Sequence, residues 1–275
     1  MVTASQITAL FPTASAVHRA SFAAKNEALF AQFGINTANR LHFFLAQIGH
    51  ESGGLSIADE GLSFSAERLV QVFRNRFPTI ADAAPFARNP QKFANTVYGN
   101  RMGNGPASSG DGFRFHGRGY MQLTGREGYR KVGALTGLAL ETDPDLVKAP
   151  DNALLVALGF WKLKAANAAC DAGDFKQVTK IVNGGTIGMA DRLAWLDKVR
   201  RVLIPPPPKK LQPSKPLNIL VQQALRAKGF TGIGAADGVI GARTTAAIFD
   251  FRQREGLGDG LLDDALLAAL GITFP

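Results

Sequence analysis

The chain has 275 residues, 46% of them hydrophobic and 19% charged, which excludes a disordered chain and leaves room for one medium domain and a small one. Its net charge of +9 points to a polyanionic partner: nucleic acid, an anionic membrane face or an anionic wall polymer. The single cysteine, Cys170, excludes an intramolecular disulfide and a cysteine-based metal site, so packing must hold the fold.

The opening stretch, MVTASQITALFPTAS, lacks the charged start and unbroken apolar core of a signal peptide. The longest apolar run, ALLVALGFW at 153–161, is far too short to span a bilayer. The expectation is a protein made in a cytoplasm without a signal peptide, with no integral membrane segment. A target beyond the inner membrane then requires release by something else. Thr37 can cap a first helix with the stripe Leu41, Phe44, Leu45 and Ile48, ended by Gly53 and Gly54. Ser65 starts a second, with Leu69, Val72 and Phe73 facing inward before Pro78. Asn89 caps a third, with Pro90 in its first turn and Gly99 past its end. Residues 99–119, GNRMGNGPASSGDGFRFHGRG, read as a long loop, and loops of this length are usually functional or disordered. Further helical patterns run from about Pro150 to Ala166, Asp174 to Val182 and Met189 to Leu203.

The segment 204–216, IPPPPKKLQPSKP, holds 6 of the 14 prolines and reads as an extended spacer. Residues 1–203 carry 23 basic and 16 acidic residues, net +7, whereas residues 217–275 carry 5 and 6, net −1. The positive charge therefore belongs to the large domain and the spacer. After the spacer three short helices are expected, the first with Leu217, Leu220, Val221 and Leu225 inward and Gly229 as its stop, and a tight turn in ADGVIGARTT. The fold class is mainly α: a domain over 1–203, a spacer over 204–216 and a small three-helix domain over 217–275.

The chemistry centres on IGHESGGLSIADEGLSF, residues 48–64. Phe44, Ile48 and Glu51 share one helix face, so Glu51 continues an apolar stripe into the last turn. Burial there, with the negative end of the helix dipole, is expected to keep it a proton donor near neutral pH. Glu60 falls in loop or short strand, a wetter place where a carboxylate stays ionised and acts as a base. Two carboxylates in unlike environments are what glycoside hydrolysis requires. In GRGYMQLTGREGY, residues 117–129, Gln122 and Thr124 flank Leu123 and can project to one side. Thr124 and Glu127 also fit a capping box, and the two readings are compatible. VNGG and ADRLAW supply Asn183 and Arg192, although Asn183 before glycine also fits a plain helix end. The histidines His18, His42, His50 and His116 show no metal-binding spacing, and His50 reads as structural.

Together FFLAQIGHESGG, DEGLSFSAERL, YGNRMGNG, FHGRGYMQLTGREGY, IVNGG and ADRLAWL resemble glycoside hydrolase family 19, the plant-type chitinase family with a bacteriophage endolysin branch. The resemblance covers roughly residues 35–203. It implies a lysozyme-like, two-lobed helical fold and an inverting two-carboxylate mechanism. By position, Glu51 is similar to the general acid, Glu60 to the base and Thr124 to the residue that helps hold the water. Gln122, Asn183 and Tyr120 stand at substrate-binding positions, and Arg192 matches a basic residue that tunes the carboxylates. Gly128 stands where the family commonly has a substrate-binding asparagine. The tail is similar to the small peptidoglycan-binding domain through LVQQALRAKGF and Asp237-Gly238-Val239-Ile240-Gly241. What this implies is a phage-type lysozyme, working as a monomer without metal or cofactor on peptidoglycan glycan strands in the periplasm. Chitinase and non-catalytic wall binding are the alternatives. A nucleic-acid partner is not expected, since no recognised module accompanies the charge.

Overall fold

The computed structural model describes residues 2–56, 59–203, 210–258 and 260–274. The chain divides into two compact units, Met1–Ile204 and Pro205–Pro275. Both are mainly α, as the sequence predicts. Among the described residues, extended pairing is confined to isolated bridges such as Asp59 with Arg118 and Arg118 with Leu123.

The first unit opens with α1 (Ala4–Leu10) and α2 (Ala16–Gln32), for which no start signal was read in the sequence. Thr3 and Gln6 form a capping box on α1, and Ser15 caps α2. Three buried positions on α2, Phe22, Asn26 and Phe30, are spaced by four, but the middle one is polar. Asn26 is tolerated there because it accepts from Val2 N at 2.9 Å and donates to Val2 O at 3.1 Å. α3 (Ala38–Glu51) starts at the predicted cap Thr37 and buries Phe44, Leu45 and Ile48. It stops at Glu51 because Ser52, Gly53, Gly54 and Leu55 turn the chain away, the last three with positive φ.

α4 (Ala66–Val72), α5 (Ile80–Ala83) and α6 (Pro90–Tyr98) enclose a smaller core of Leu62, Leu69, Phe77, Phe93 and Val97. Ser65 and Asn89 cap as predicted. Val72 does not face inward: α4 ends there and leaves it 46% exposed. The predicted loop 99–119 contains a single helical turn, α7 (Asp111–Arg114), and close glycine contacts pin it. A Cβ on Gly112 would meet Ala94 O at 2.4 Å, and one on Gly103 would meet Glu127 Cβ at 2.8 Å.

α8 (Arg126–Thr136) begins at Gly125 with no side-chain cap of its own, so the Thr124–Glu127 capping box does not form. The 99–119 segment supplies the missing acceptors instead. Asn104 Oδ1 takes Arg126 N at 2.8 Å and Met102 O takes Glu127 N at 3.0 Å. α9 (Pro150–Leu163), α10 (Asn167–Asp171), α11 (Phe175–Asn183) and α12 (Met189–Leu203) complete the unit. α12 lies along α3, and the contact is close: a Cβ on Gly49 would come within 2.6 Å of the Trp195 ring. That contact fixes the end of α3 against the start of α12.

The first residues of the proline-rich segment, 204–209, lie outside the described residues. Its end does not act as spacer. Leu211 N donates to Leu262 O at 3.1 Å, and α13 (Lys215–Ala227) starts on the cap Ser214. α14 (Ala242–Glu255) and α15 (Asp264–Leu270) follow around Leu217, Val221, Leu225, Ile248, Phe251 and Leu266. Leu220, expected inward, is 37% exposed. The Asp237–Gly241 turn is fastened from below: Gln222 accepts from Gly238 N at 2.8 Å and donates to Asp237 and to Val239 O. Arg252 and Asp263 form a two-pronged ion pair at 2.9 Å, both almost fully buried.

Candidate active site

Glu51 is the last residue of α3 and does not stand alone. Its carboxylate accepts from Arg192 Nη2 at 2.5 Å, and its side chain is 17% exposed. The acid expected from the apolar stripe is largely buried and also paired, because Arg192 on α12 reaches it through the α3–α12 contact. Arg192 is buried and also donates to Gln47 Oε1 and to Ile187 O. One residue earlier on each helix a second pair meets: His50 Nδ1 lies 2.6 Å from Asp191 Oδ2. Gly188 presses on that histidine, since a Cβ there would meet its ring at 2.5 Å.

Glu60 sits in a different shell. Its backbone N–H donates to Gly117 O at 2.9 Å, and its Oε2 accepts from Gly117 N at 3.1 Å. Its Oε1 accepts from the Tyr98 hydroxyl at 2.5 Å. Burial, then the hydrogen bond to Glu60, pushes the Tyr98 hydroxyl well above its usual range, so it remains a donor. Both donors to Glu60 are neutral. Gly117 is also where other predicted residues meet: a Cβ on it would lie 3.0 Å from Gln122 Oε1, 3.2 Å from Glu60 Oε2 and 3.2 Å from Thr124 Oγ1. Gln122, Glu60 and Thr124 thus converge on one backbone position. The short bridge between Arg118 and Leu123 folds the segment back to bring them there. Thr124 Oγ1 donates to Gln122 O at 2.8 Å, and Gln122 holds a positive φ of 48°.

Behind Glu60, Asp59 anchors a charged ring. It is 3.0 Å from Lys148, 3.4 Å from His116 and 3.5 Å from Arg118, and both Arg118 and Lys148 also reach Asp145 at 3.2 Å. Burial pushes the Asp59 carboxyl up, but the hydrogen bond from Lys148 and the nearby His116 and Arg118 outweigh it and hold the group below the usual carboxylate range.

Two expected residues lie elsewhere. Tyr120 is 3% exposed and its hydroxyl is 2.5 Å from His18 Nδ1, so it belongs to the large core and not to a substrate surface. Asn183 ends α11, exposed, with Gly184 as the left-handed cap, as its plain helix-end reading requires. Conversely, Tyr98, Gly117 and Gln47 were not singled out in the sequence. Gln47 carried a signal, a polar residue inside an apolar stripe four before Glu51. Tyr98 and Gly117 carried none, because only tertiary approach brings them to Glu60. Among the described residues no group of three or more His, Cys, Asp or Glu is placed to hold a metal, and no helix is long and apolar enough to cross a membrane.

A helical unit that fixes one glutamate by a buried arginine and another by neutral donors has the equipment of a glycosidase. The comparisons with known proteins agree. The chain is 37% identical over 149 residues to a glycosyl hydrolase family 19 domain-containing protein of Haemophilus influenzae, covering 54% of this chain and 72% of that one. The chain belongs to glycosyl hydrolase family 19. An endochitinase of Arabidopsis thaliana is 28% identical over 168 residues, 61% of this chain, and the match spans about half of that protein, 47%. The solved structure of chitinase C from Streptomyces griseus HUT6037 shares the fold at a TM-score of 0.50 and 18% identity, over 74% of this chain and 92% of that one. A mutant of chitinase C superposes with a TM-score of 0.51 at 18% identity, over 74% of this chain and 76% of that one. Residues 216–270 match the family model of a putative peptidoglycan binding domain.

Proposed function

We infer that this protein is a lysozyme that hydrolyses the β-1,4 bond between N-acetylmuramic acid and N-acetylglucosamine in bacterial peptidoglycan. The observation that carries the reading is the joining, on one chain, of a family 19 unit to residues 216–270, which match a peptidoglycan binding domain. Tethering makes the second encounter with an insoluble wall effectively intramolecular. The net charge of +7 over residues 1–203 suits an anionic wall and gives no advantage on uncharged chitin.

In this reading Glu51 protonates the glycosidic oxygen. The carboxylate left behind already faces Arg192 at 2.5 Å, so the charge that develops is stabilised in place. Glu60 takes a proton from a water that attacks the opposite face of the sugar, which inverts the anomeric centre. Thr124 helps hold that water. Its own proton is committed to Gln122 O, so its oxygen is free to accept. A water that donates to Glu60 and to Thr124 keeps a lone pair for the anomeric carbon. Gln122, beside Glu60 and Thr124 at Gly117, contacts sugar. The protein acts in the periplasm after another factor has opened the way, as a bacteriophage endolysin does in host lysis.

A second reading, chitinase, draws on the likeness to an endochitinase and to chitinase C. Mass spectrometry of digested peptidoglycan decides: new reducing-end muramic acid or glucosamine names the cleaved bond. Faster release of reducing ends from colloidal chitin than from peptidoglycan overturns the lysozyme reading. Proton NMR of the first-formed anomer tests inversion.

A further inference from the structure

Arg192, which holds Glu51, is itself held from behind. Its Nη1 donates to Gln47 Oε1, Gln47 Nε2 donates to Thr179 Oγ1 at 2.9 Å, and Thr179 Oγ1 donates to Phe175 O at 3.0 Å. Gln47 and Thr179 are 0% exposed and Arg192 is 1% exposed. The chain of bonds starts on α11, crosses α3 to Arg192 on α12 and returns to α3 at the carboxylate of Glu51.

Its direction is fixed. The Phe175 carbonyl can only accept, so the Thr179 hydroxyl donates to it and its oxygen accepts from Gln47. The amide nitrogen of Gln47 therefore faces Thr179, and its oxygen faces Arg192. Reversal would set the amide N–H against the guanidinium N–H. The acceptor offered to Arg192 is neutral as well as oriented. A carboxylate in that place would share the guanidinium charge, whereas an amide leaves it to Glu51. Gln47 and Glu51 are four residues apart on one helix, so one rigid element sets both ends of the guanidinium. The remaining Arg192 contact, Nε to Ile187 O, is long at 3.3 Å and comes from a loop.

We propose that Gln47 is a positioning residue for the reaction: with Thr179 behind it, it aims the whole charge of Arg192 at the proton donor Glu51. The proposal rests on the reading of Glu51 as the acid. The experiment uses the full-length protein on whichever of the two polymers it hydrolyses, with Glu51→Gln as reference. Gln47→Glu is isosteric and keeps an acceptor for Arg192, but adds a charge four residues from Glu51. It is expected to lower kcat roughly tenfold to a hundredfold with KM little changed. It should also move the alkaline limb of the pH–rate profile to higher pH, because a second negative charge nearby favours the protonated acid. Thr179→Val frees the amide of Gln47 and lowers kcat in the same way, and Thr179→Ser restores it. A purely structural role would move the melting temperature but not the pH limb.

Wild-type kcat and pH profile in Gln47→Glu, with Glu51→Gln inactive, overturns the positioning role alone. Full activity in Glu51→Gln overturns the acid assignment and the positioning role with it. Should Gln47→Glu fail to fold, the Thr179 pair decides: equal kcat for Thr179→Val and Thr179→Ser overturns the proposal.

Discussion

Replacing Gly117 by alanine tests the convergence at Glu60 most directly. The added methyl would lie 3.0 Å from Gln122 Oε1 and 3.2 Å from both Glu60 Oε2 and Thr124 Oγ1, where ordinary contact begins near 3.4 Å. Each polar group must yield a few tenths of an ångström, and none is free to do so cheaply. Glu60 is held by Tyr98 at 2.5 Å and Thr124 by Gln122 O at 2.8 Å. Gly117 is not among the glycines with positive φ, so alanine meets no left-handed backbone, and its N–H to Glu60 survives. Alanine also restricts the unfolded chain, worth about 0.4–1 kcal/mol in favour of folding. The expectation is a modest loss of stability, since the crowding outweighs that gain, together with a kcat lower by about tenfold to a hundredfold, which is about 1.4–2.7 kcal/mol of barrier. Initial rates on the preferred polymer and a thermal melt of the same sample read both. Turnover within about twofold of the wild type would show that the three side chains do not work as one site.

Other expectations follow from named contacts. Tyr98→Phe removes the hydroxyl that holds Glu60 Oε1 at 2.5 Å, a bond worth about 1.5–3 kcal/mol, and should lower kcat while circular dichroism stays unchanged. Gly128→Ala should raise the melting temperature, since alanine favours a helix over glycine by about 1 kcal/mol and the new methyl meets only the tip of Leu123, at 3.2 Å. Asp263→Ala strips the buried Arg252 of its partner and α15 of its cap, so hydrogen exchange over residues 215–270 should quicken far more than in Asp263→Asn, which keeps a cap acceptor. Asp59 has a depressed folded-state pKa, so its contribution is complete above the usual carboxylate value of about 3.9 and is lost as pH falls through the lower folded value. His18 and His42, lowered by burial, add a loss that begins near their unfolded value of about 6.5. Asp59→Asn should therefore flatten only the most acidic part of a melting-temperature profile, leaving the step near pH 6 in place.

What was legible in the sequence was local. Thr37, Ser65 and Asn89 each cap the helix assigned to them, because a cap needs only its own backbone three residues on. The two glutamates were legible because they fall in one short segment. The failures share one cause, a partner far along the chain. Asn26 broke the apolar pattern of α2 yet is buried, since the N-terminal backbone satisfies it. The Thr124–Glu127 box lost to acceptors from Asn104 and Met102, about twenty residues away by sequence and adjacent in space. Residues 99–119 were rich in glycine not to be mobile but to let backbones touch, at Gly112 against Ala94 and at Gly103 against Glu127. The stripe foretold the burial of Ile48 and most of that of Glu51, but not the Arg192 partner that α12 brings to the helix end.

Those distant partners are also what separates the two carboxylates chemically. An acid must become an anion as it works, and in the proposed reading Glu51 does so facing the Arg192 guanidinium, which also bonds Gln47. A base must lose its charge as it works, and a cation beside it would oppose that loss. Glu60 is instead held by a phenol and a peptide N–H, donors that fix its two oxygens without neutralising it. Next to it along the chain, Asp59 engages Lys148, Arg118 and His116. In the proposed reading the same ten-residue segment supplies both a donor and an acceptor of protons, and the residues that distinguish them come from three other parts of the chain.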